Sequence, residues 1–350
     1  MTTAEVERRL AALKPVQRAV LAGLCRGASV RAIADELGYS EQRIYQHLAV
    51  VYEAFEIQDL NGYGRRGVLG ESICPVLRQG EVAVAAEARP VPHEGATLKG
   101  IILAGGTGSR LAPLTRVTNK HLLPVYDKPM VFYPLEALVA AGIDEVMVVT
   151  GGNHAGEFLR LLGNGHEFGL RRLQFSYQER PGGIAEALSL CETFFGGDRV
   201  VVLLGDNVFG ESIAPYVDNF RRQERGARVL LKEVEDPSHL RHLGVPIFGE
   251  GGRVQFIREK PAAPPSPYAV TGAYMYGPDV FDVLKTLRPS ARGELEITDV
   301  NNAYADRGEL EHDVIAGFWG DCGESIEVYY RVIDAVRRNG ANRPSAAAVR

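Results

Sequence analysis

The sequence predicts an α/β fold with a doubly wound, mainly parallel sheet, preceded by a small all-α unit. Three observations predict it. Short apolar runs alternate with amphipathic stretches from Lys99 onward, a glycine-rich turn follows the first such run, and the first 60 residues show helical spacing of apolar side chains throughout. A length of 350 residues suits two units of about 100–200 residues each.

The first 66 residues read as helices. Val16, Val20, Leu21 and Leu24 recur at helical spacing after Pro15, a residue suited to a first turn. A second helix follows at Val30–Leu37 and ends at Gly38. Ser40 can cap a third, Glu41–Phe55, whose Ile44, Leu48, Val51 and Phe55 share one face. Residues 67–97 lose this periodicity in a mixture of Ala, Pro, Glu and Gly, and read as a linker. Residues 98–340 then alternate the buried strands KGIILA, EVMVVT, RVVVLLGD and RVLLKEV with the helical stretches MVFYPLEALVAAG and IAEALSLCETFF.

Composition narrows the class. Hydrophobic residues at 45% and charged residues at 24% are ordinary globular usage, which excludes a disordered or fibrous chain. No apolar stretch reaches the roughly 18 residues that cross a bilayer, and MTTAEVERRL lacks a signal-peptide core, so a cytoplasmic protein without a membrane partner is expected. Cys25, Cys74, Cys191 and Cys322 form no CxxC pair, which leads to an expectation of reduced thiols and no zinc site. The net charge is −5, and residues 1–66 carry nine Lys/Arg against eight Asp/Glu. Neither part is a strongly basic polyanion binder.

The turn Ala104-Gly105-Gly106-Thr107-Gly108-Ser109-Arg110-Leu111 has the chemistry of a phosphate cradle. Glycines let backbone N–H groups approach phosphate oxygens, and a guanidinium can grip them in a bidentate way. It is neither GxxxxGK[ST] nor GxGxxG, because Leu111 stands where the latter needs glycine. Alone, such a turn can equally serve tight packing.

The longer run KGIILAGGTGSRLAPLTRVTNKHLLPVYDKPM resembles the signature of nucleotidylyltransferases that act on sugar 1-phosphates. Ordered blocks further along are similar to the thymidylyltransferase branch of that family: TGGNHAGEFLRLLGNGHEFGL, QERPGGIAEAL, LLGDNVF, REKP, YAVTGAYMYGPDVF and RGELEITDVNNAY. The resemblance spans about residues 99–335. It implies transfer of a nucleotidyl group from dTTP or UTP to glucose 1-phosphate, giving dTDP-glucose or UDP-glucose and pyrophosphate, with Mg²⁺ as cofactor.

The roles the resemblance implies fall on individual residues. Gly105, Gly106 and Gly108 would approach the nucleotide, with Arg110 and Lys120 on its triphosphate. Gln178 would read the pyrimidine through its amide beside Gly183. Asp206, after the strand Val200–Leu204, and Asp321, in GFWGDCGES, would form a two-carboxylate Mg²⁺ site. Here the chain departs from the family pattern, with Cys322-Gly323-Glu324 where a small residue, Gly and Thr are usual. Glu259, Lys260, Arg292 and Glu294 would hold the sugar phosphate, and Gly244 and Val270-Thr271-Gly272 would add backbone contacts. Since the attacking phosphate oxygen is already an anion, no general base is needed, and His121, His154 and His166 are expected to be structural or solvated.

The stretch from Val16 to Ile57 resembles the DNA-binding domain of LuxR-type regulators over residues 13–60, with Glu41, Gln42, Arg43, Tyr45, Gln46 and His47 on the recognition helix. Arg43 against Glu41 and Glu53 gives that helix little phosphate attraction. DNA binding and a packing or oligomerisation role both remain open for it. The alternative for the whole chain is a regulator that senses nucleotide or sugar nucleotide without turnover. A homo-oligomer is expected, with the apolar helix near Ile326–Val336 and the N-terminal unit as candidate interfaces.

Overall fold

The computed structural model describes residues 98–344 apart from Gly196 and Ala291, and before them residues 3–13, 15–26, 28, 30–37, 44, 47, 48, 51, 52, 54, 55, 73 and 74. The chain divides into two compact units, Met1–Glu94 and Gly95–Arg350.

The first unit contains α1 (Thr3–Ala12), α2 (Pro15–Cys25) and α3 (Val30–Leu37). Val20, Ile33, Ala34, Ile44 and Leu48 form one small core. Gly23 lets α2 and α3 approach, since a Cβ there would lie 2.7 Å from Ile33. A second core joins Val6, Leu13, Leu21 and Ala22 to Val51, Phe55, Ile73 and Cys74. Two positions depart from the sequence reading. Cys25 and Cys74 are joined in a disulfide across a separation of 49 residues, against the expectation of reduced thiols. Only packing brings them together, and no local spacing could report it. Ile73 and Cys74, read as linker, are buried in this core. The expected DNA-facing residues Glu41, Gln42, Arg43, Tyr45 and Gln46 lie outside the described residues, and His47 is half-buried.

The second unit has thirteen strands among the described residues. They are β1 (Leu98–Ala104), β2 (Pro124–Val125), β3 (Lys128–Pro129), β4 (Glu145–Gly151), β5 (Arg172–Gln178), β6 (Arg199–Leu204), β7 (Asn207–Phe209), β8 (Ala227–Glu233), β9 (Gly244–Phe248), β10 (Val254–Glu259), β11 (Tyr268–Tyr276), β12 (Leu310–Val314) and β13 (Trp319–Asp321). The helices that matter here are α4 (Phe132–Ala140), α5 (Ala155–Leu162), α6 (Ile184–Ser189), α7 (Glu192–Phe195), α8 (Ala214–Arg222), α9 (Pro237–Leu240), α10 (Val280–Thr286), α11 (Ile297–Asp306) and α12 (Ile326–Asn339). The stretch IAEALSLCETFF, expected as one helix, is split into α6 and α7 at Leu190 and Cys191.

Seven strands form one sheet in the order β12-β8-β11-β6-β1-β4-β5. The pairs β6–β1, β1–β4, β4–β5 and β12–β8 are parallel, whereas β11 runs antiparallel between β6 and β8. Both faces are covered, which is why these strands read as nearly continuous apolar runs. Ile101 and Leu103 of β1 pack with α6, α7, α10 and α11 on one face. Ile102 and Ala104 pack with α4, α5 and α8 on the other. At about 1.5–3 kcal/mol for each fully buried aliphatic side chain, this doubly covered sheet dominates the unit's stability. A third core holds α12 to the β2–β3 hairpin through Val328, Tyr329, Val332 and Val336, packed with Leu123, Val125 and Met130. The apolar face of α12, expected as a candidate interface, is thus used within its own unit. Among the described residues no helix is long and apolar enough to cross a membrane.

Two features of this topology build the site. Strands β1, β4, β5 and β6 are mutually parallel, so Ala104, Gly151, Gln178 and Leu204 end at one edge of the sheet, where the strand order reverses about β1. In addition, β11 shifts register against β8 between Val270 and Tyr274, which turns Gly272 toward Asn207.

Candidate active site

A cleft of about 320 Å³ opens at the carboxyl edge of the sheet. It gathers Gly105, Gly106, Arg110, Lys120, Gln178, Gly183, Asp206, Gly244, Glu259, Lys260, Val270, Arg292, Glu294 and Asp321. Of the residues singled out from sequence for a nucleotide, sugar-phosphate or metal role, Gly108 and Thr271 stay outside. Gly108, at φ +68°, shapes the turn instead: a Cβ there would lie 2.9 Å from both Lys120 and Thr115. Thr271 is fully buried and donates to the Leu230 carbonyl at 2.9 Å.

At the centre, Lys120 forms an ion pair with Asp206, both side chains being largely buried. Asp206 follows β6, and Asn207 Nδ2 donates to its Oδ1 at 3.0 Å. Asp321 reaches the same place because β13 pairs antiparallel with β7, which sets Asp321 opposite Asn207. The two carboxyls respond in opposite directions. Burial would raise both, but the Lys120 ammonium holds Asp206 well below the usual carboxylate range. Burial and the Asp206 charge instead push Asp321 up.

These residues suit a hard divalent cation, as two oxygen donors converge while other positions stay available for water and phosphate. Gly323 is packed over the pair. A Cβ there would come 2.5 Å from Asp206 Oδ2 and 3.2 Å from Asp321 Oδ1, so only glycine leaves this space. The Gly323 N–H also donates to Asp321 Oδ1 at 2.8 Å, which orients the carboxylate. The unusual Glu324 does not line the cleft; its Oε1 lies 3.9 Å from His239 Nδ1. Among the described residues no cluster of three or more His, Cys, Asp or Glu could hold a metal.

At one end of the cleft, Gln178 closes β5 beside the glycine turn. Its Nε2 donates to the Gly183 carbonyl at 3.1 Å and to Glu186 Oε2 at 2.5 Å. Gly183 has φ +100°, and a Cβ would lie 2.3 Å from the Leu295 carbonyl oxygen. At the other end, Glu259 accepts from Thr298 Oγ1 at 2.6 Å and faces Lys260 Nζ at 3.3 Å. Lys260 takes a left-handed φ of +44°, and its N–H donates to the Leu243 carbonyl. Arg292 Nη2 donates to both carboxylate oxygens of Glu296, at 2.9 and 2.8 Å.

Sequence reasoning missed Glu186, Glu296, Thr298, Asn207, Tyr274 and Trp319. Asn207 Oδ1 accepts from both Gly272 N and Trp319 Nε1, so one side chain joins β7, β11 and β13 behind the two aspartates. Its place directly after Asp206 was the one available signal.

The histidines divide. His154 pairs with Glu157 at 2.6 Å, and His166 lies in a surface turn. His121 lines the cleft but is buried, and burial together with the Lys120 charge lowers its pKa to about 3. The unfolded chain therefore takes up a proton near 6.5 that the folded chain refuses until about 3, so stability is complete above 6.5 and is lost as pH falls below it. The expected loss is about 1.4 kcal/mol for each pH unit below 6.5. Urea unfolding at pH 7.5 and pH 5 should show a larger drop for the wild type than for His121→Gln; equal drops would contradict a buried neutral imidazole.

Comparison with known proteins agrees over this unit. The nucleotidyl transferase family model matches residues 99–338. A glucose-1-phosphate thymidylyltransferase from Actinoplanes sp. is 48% identical over 246 residues, 68% of this chain and 79% of that protein. The enzyme of the same name from Neisseria meningitidis is 44% identical over 229 residues, 65% of this chain and 78% of that protein. Among solved structures, a candidate glucose-1-phosphate thymidylyltransferase from Bacillus anthracis, in complex with sucrose, is 48% identical with a TM-score of 0.65, covering 69% of this chain and 96% of that one. A UDP-glucose pyrophosphorylase bound to UDP-glucose is 25% identical with a TM-score of 0.60, covering 69% and 99%.

Proposed function

Because this chain belongs to the nucleotidyl transferase family, we propose that it transfers a thymidylyl group from dTTP, or a uridylyl group from UTP, to glucose 1-phosphate. One observation carries the reading: the Lys120–Asp206 pair and Asp321 converge at the end of β6, between a glycine turn with Arg110 and a second set of charges at Glu259, Lys260 and Arg292. The arrangement suits two anionic substrates meeting head to head.

In the proposed reaction a phosphate oxygen of glucose 1-phosphate attacks the α-phosphorus of the nucleotide. A new P–O bond forms, the bond to the β-phosphate oxygen breaks, and its electron pair leaves with pyrophosphate. No protein base has to remove a proton, so catalysis consists of positioning and charge neutralisation. Arg110 and Lys120 would hold the departing pyrophosphate. Lys260 and Arg292 would align the nucleophile, with Glu259 and Glu294 on sugar hydroxyls and Gly244 and Val270 offering backbone contacts. Gln178 and Gly183 would face the base, above Gly105 and Gly106. Asp206 and Asp321 would hold Mg²⁺, which supplies neutralisation of the phosphate charge when bound.

The family match covers residues 99–338, so helix-turn-helix character and DNA binding of residues 13–60 rest on sequence resemblance. The expected result is pyrophosphate release from dTTP and glucose 1-phosphate that stops when Mg²⁺ is chelated. UTP should follow, since the two bases differ by one methyl group, worth about 1–3 kcal/mol in a pocket. Nucleotide binding with no release from any sugar 1-phosphate would instead favour the ligand-sensing regulator.

A further inference from the structure

Glu186 lies in the first turn of α6 and does not line the cleft, yet it touches the one side chain assigned to the base. Gln178 Nε2 donates to Glu186 Oε2 at 2.5 Å and to the Gly183 carbonyl at 3.1 Å. An amide nitrogen carries two hydrogens, and here each has an acceptor. A carbonyl and a carboxylate cannot donate, so the atom facing them has to be the nitrogen, and the amide orientation follows from chemistry alone. Gln178 Oε1 is thereby turned toward the glycine turn, where a Cβ on Gly105 would lie 2.8 Å from it. The Glu186 carboxylate packs over Gly182, where a Cβ would sit 2.2 Å from its Oε2. Backbone bonds from Leu295 N to Gly182 O at 2.8 Å and from Ala185 N to Leu295 O at 3.2 Å fasten the same loop.

We propose that Glu186 is a positioning residue that sets base specificity, by holding Gln178 with its carbonyl oxygen as the only polar atom offered to the base. The inference rests on the reading of Gln178 as the base-reading residue. An acceptor held there matches the ring N–H of thymine or uracil. It opposes cytosine, which presents a lone pair at the same ring nitrogen, and two acceptors facing each other leave both unpaired on binding. The discrimination thus comes from a residue that never touches the nucleotide.

The test compares kcat/KM for dTTP and dCTP, each with glucose 1-phosphate and Mg²⁺. In Glu186→Ala one of the two acceptors is gone and the amide can turn over. The dTTP-to-dCTP ratio is expected to fall about tenfold or more, mainly through a higher KM for dTTP, with KM for glucose 1-phosphate unchanged. Glu186→Gln should recover most of the ratio, because its amide oxygen accepts the same hydrogen bond. Should the alanine variant fail to fold, Glu186→Asp, one methylene shorter, is expected to show a smaller fall in the same ratio. A wild-type ratio retained in Glu186→Ala or Glu186→Asp, with wild-type turnover of dTTP, overturns the role of Glu186. A wild-type enzyme that uses dTTP and dCTP equally overturns the reading of Gln178 itself, a separate result.

Discussion

Asp206→Asn is expected to lower the rate of pyrophosphate release by about 10²–10³-fold while leaving the unit folded. Asparagine keeps the shape and can still accept from Asn207, but it removes the charge that would hold the cation against the transferring phosphate. Stability should change little, because Asp321 stands ready. Burial and the Asp206 charge push its carboxyl up, so loss of that charge favours its ionisation next to Lys120. Single-turnover pyrophosphate release and a thermal melt on the same sample separate the two effects. A variant within a few-fold of wild-type turnover would remove Asp206 from the site chemistry.

Lys120→Met is expected to produce the largest loss of stability. It leaves the buried Asp206 beside Asp321 without a cation, and breaking a buried pair by removing one partner costs about 3–5 kcal/mol. Urea unfolding should therefore shift to lower midpoint with an unchanged slope. The double variant Lys120→Met/Asp206→Asn should recover much of the midpoint, since the uncompensated charge is gone, while remaining inactive. Added Mg²⁺ should also raise the midpoint of Lys120→Met, because it can stand in for the ammonium and binds only the folded chain. Additive losses in the double variant, with no effect of Mg²⁺, would show that Lys120 and Asp206 do not act as a pair.

The fold was legible where information is local. The run KGIILA became β1 because alternate side chains enter opposite covered faces, Ile101 and Leu103 on one and Ile102 and Ala104 on the other. The glycine turn was legible for the same reason: its conformation is written in residues without a Cβ, and it emerged directly after β1. Other elements carried no local sign of their place. Strand β11 has the same apolar texture as its neighbours, so its antiparallel insertion between β6 and β8 could not be read from composition. The Cys25–Cys74 bond and the burial of the α12 face also depend on partners distant in the chain.

The site divides along the same line. By itself the sequence determined which residue types were available and on which loops, because a motif records chemistry at short spacing. Arg110, Lys120, Gln178, Asp206, Lys260, Arg292 and Asp321 were all named from it and all line one cleft. Only the tertiary structure decided what each of them touches. The β7–β13 ladder sets Asp321 beside Asp206, Lys120 neutralises the first of these carboxylates, and Glu186 turns the Gln178 amide. Those relations come from the register of strands and the seating of helices, which are fixed by burial summed over the whole unit; the spacing of a few neighbours along the chain contains none of it.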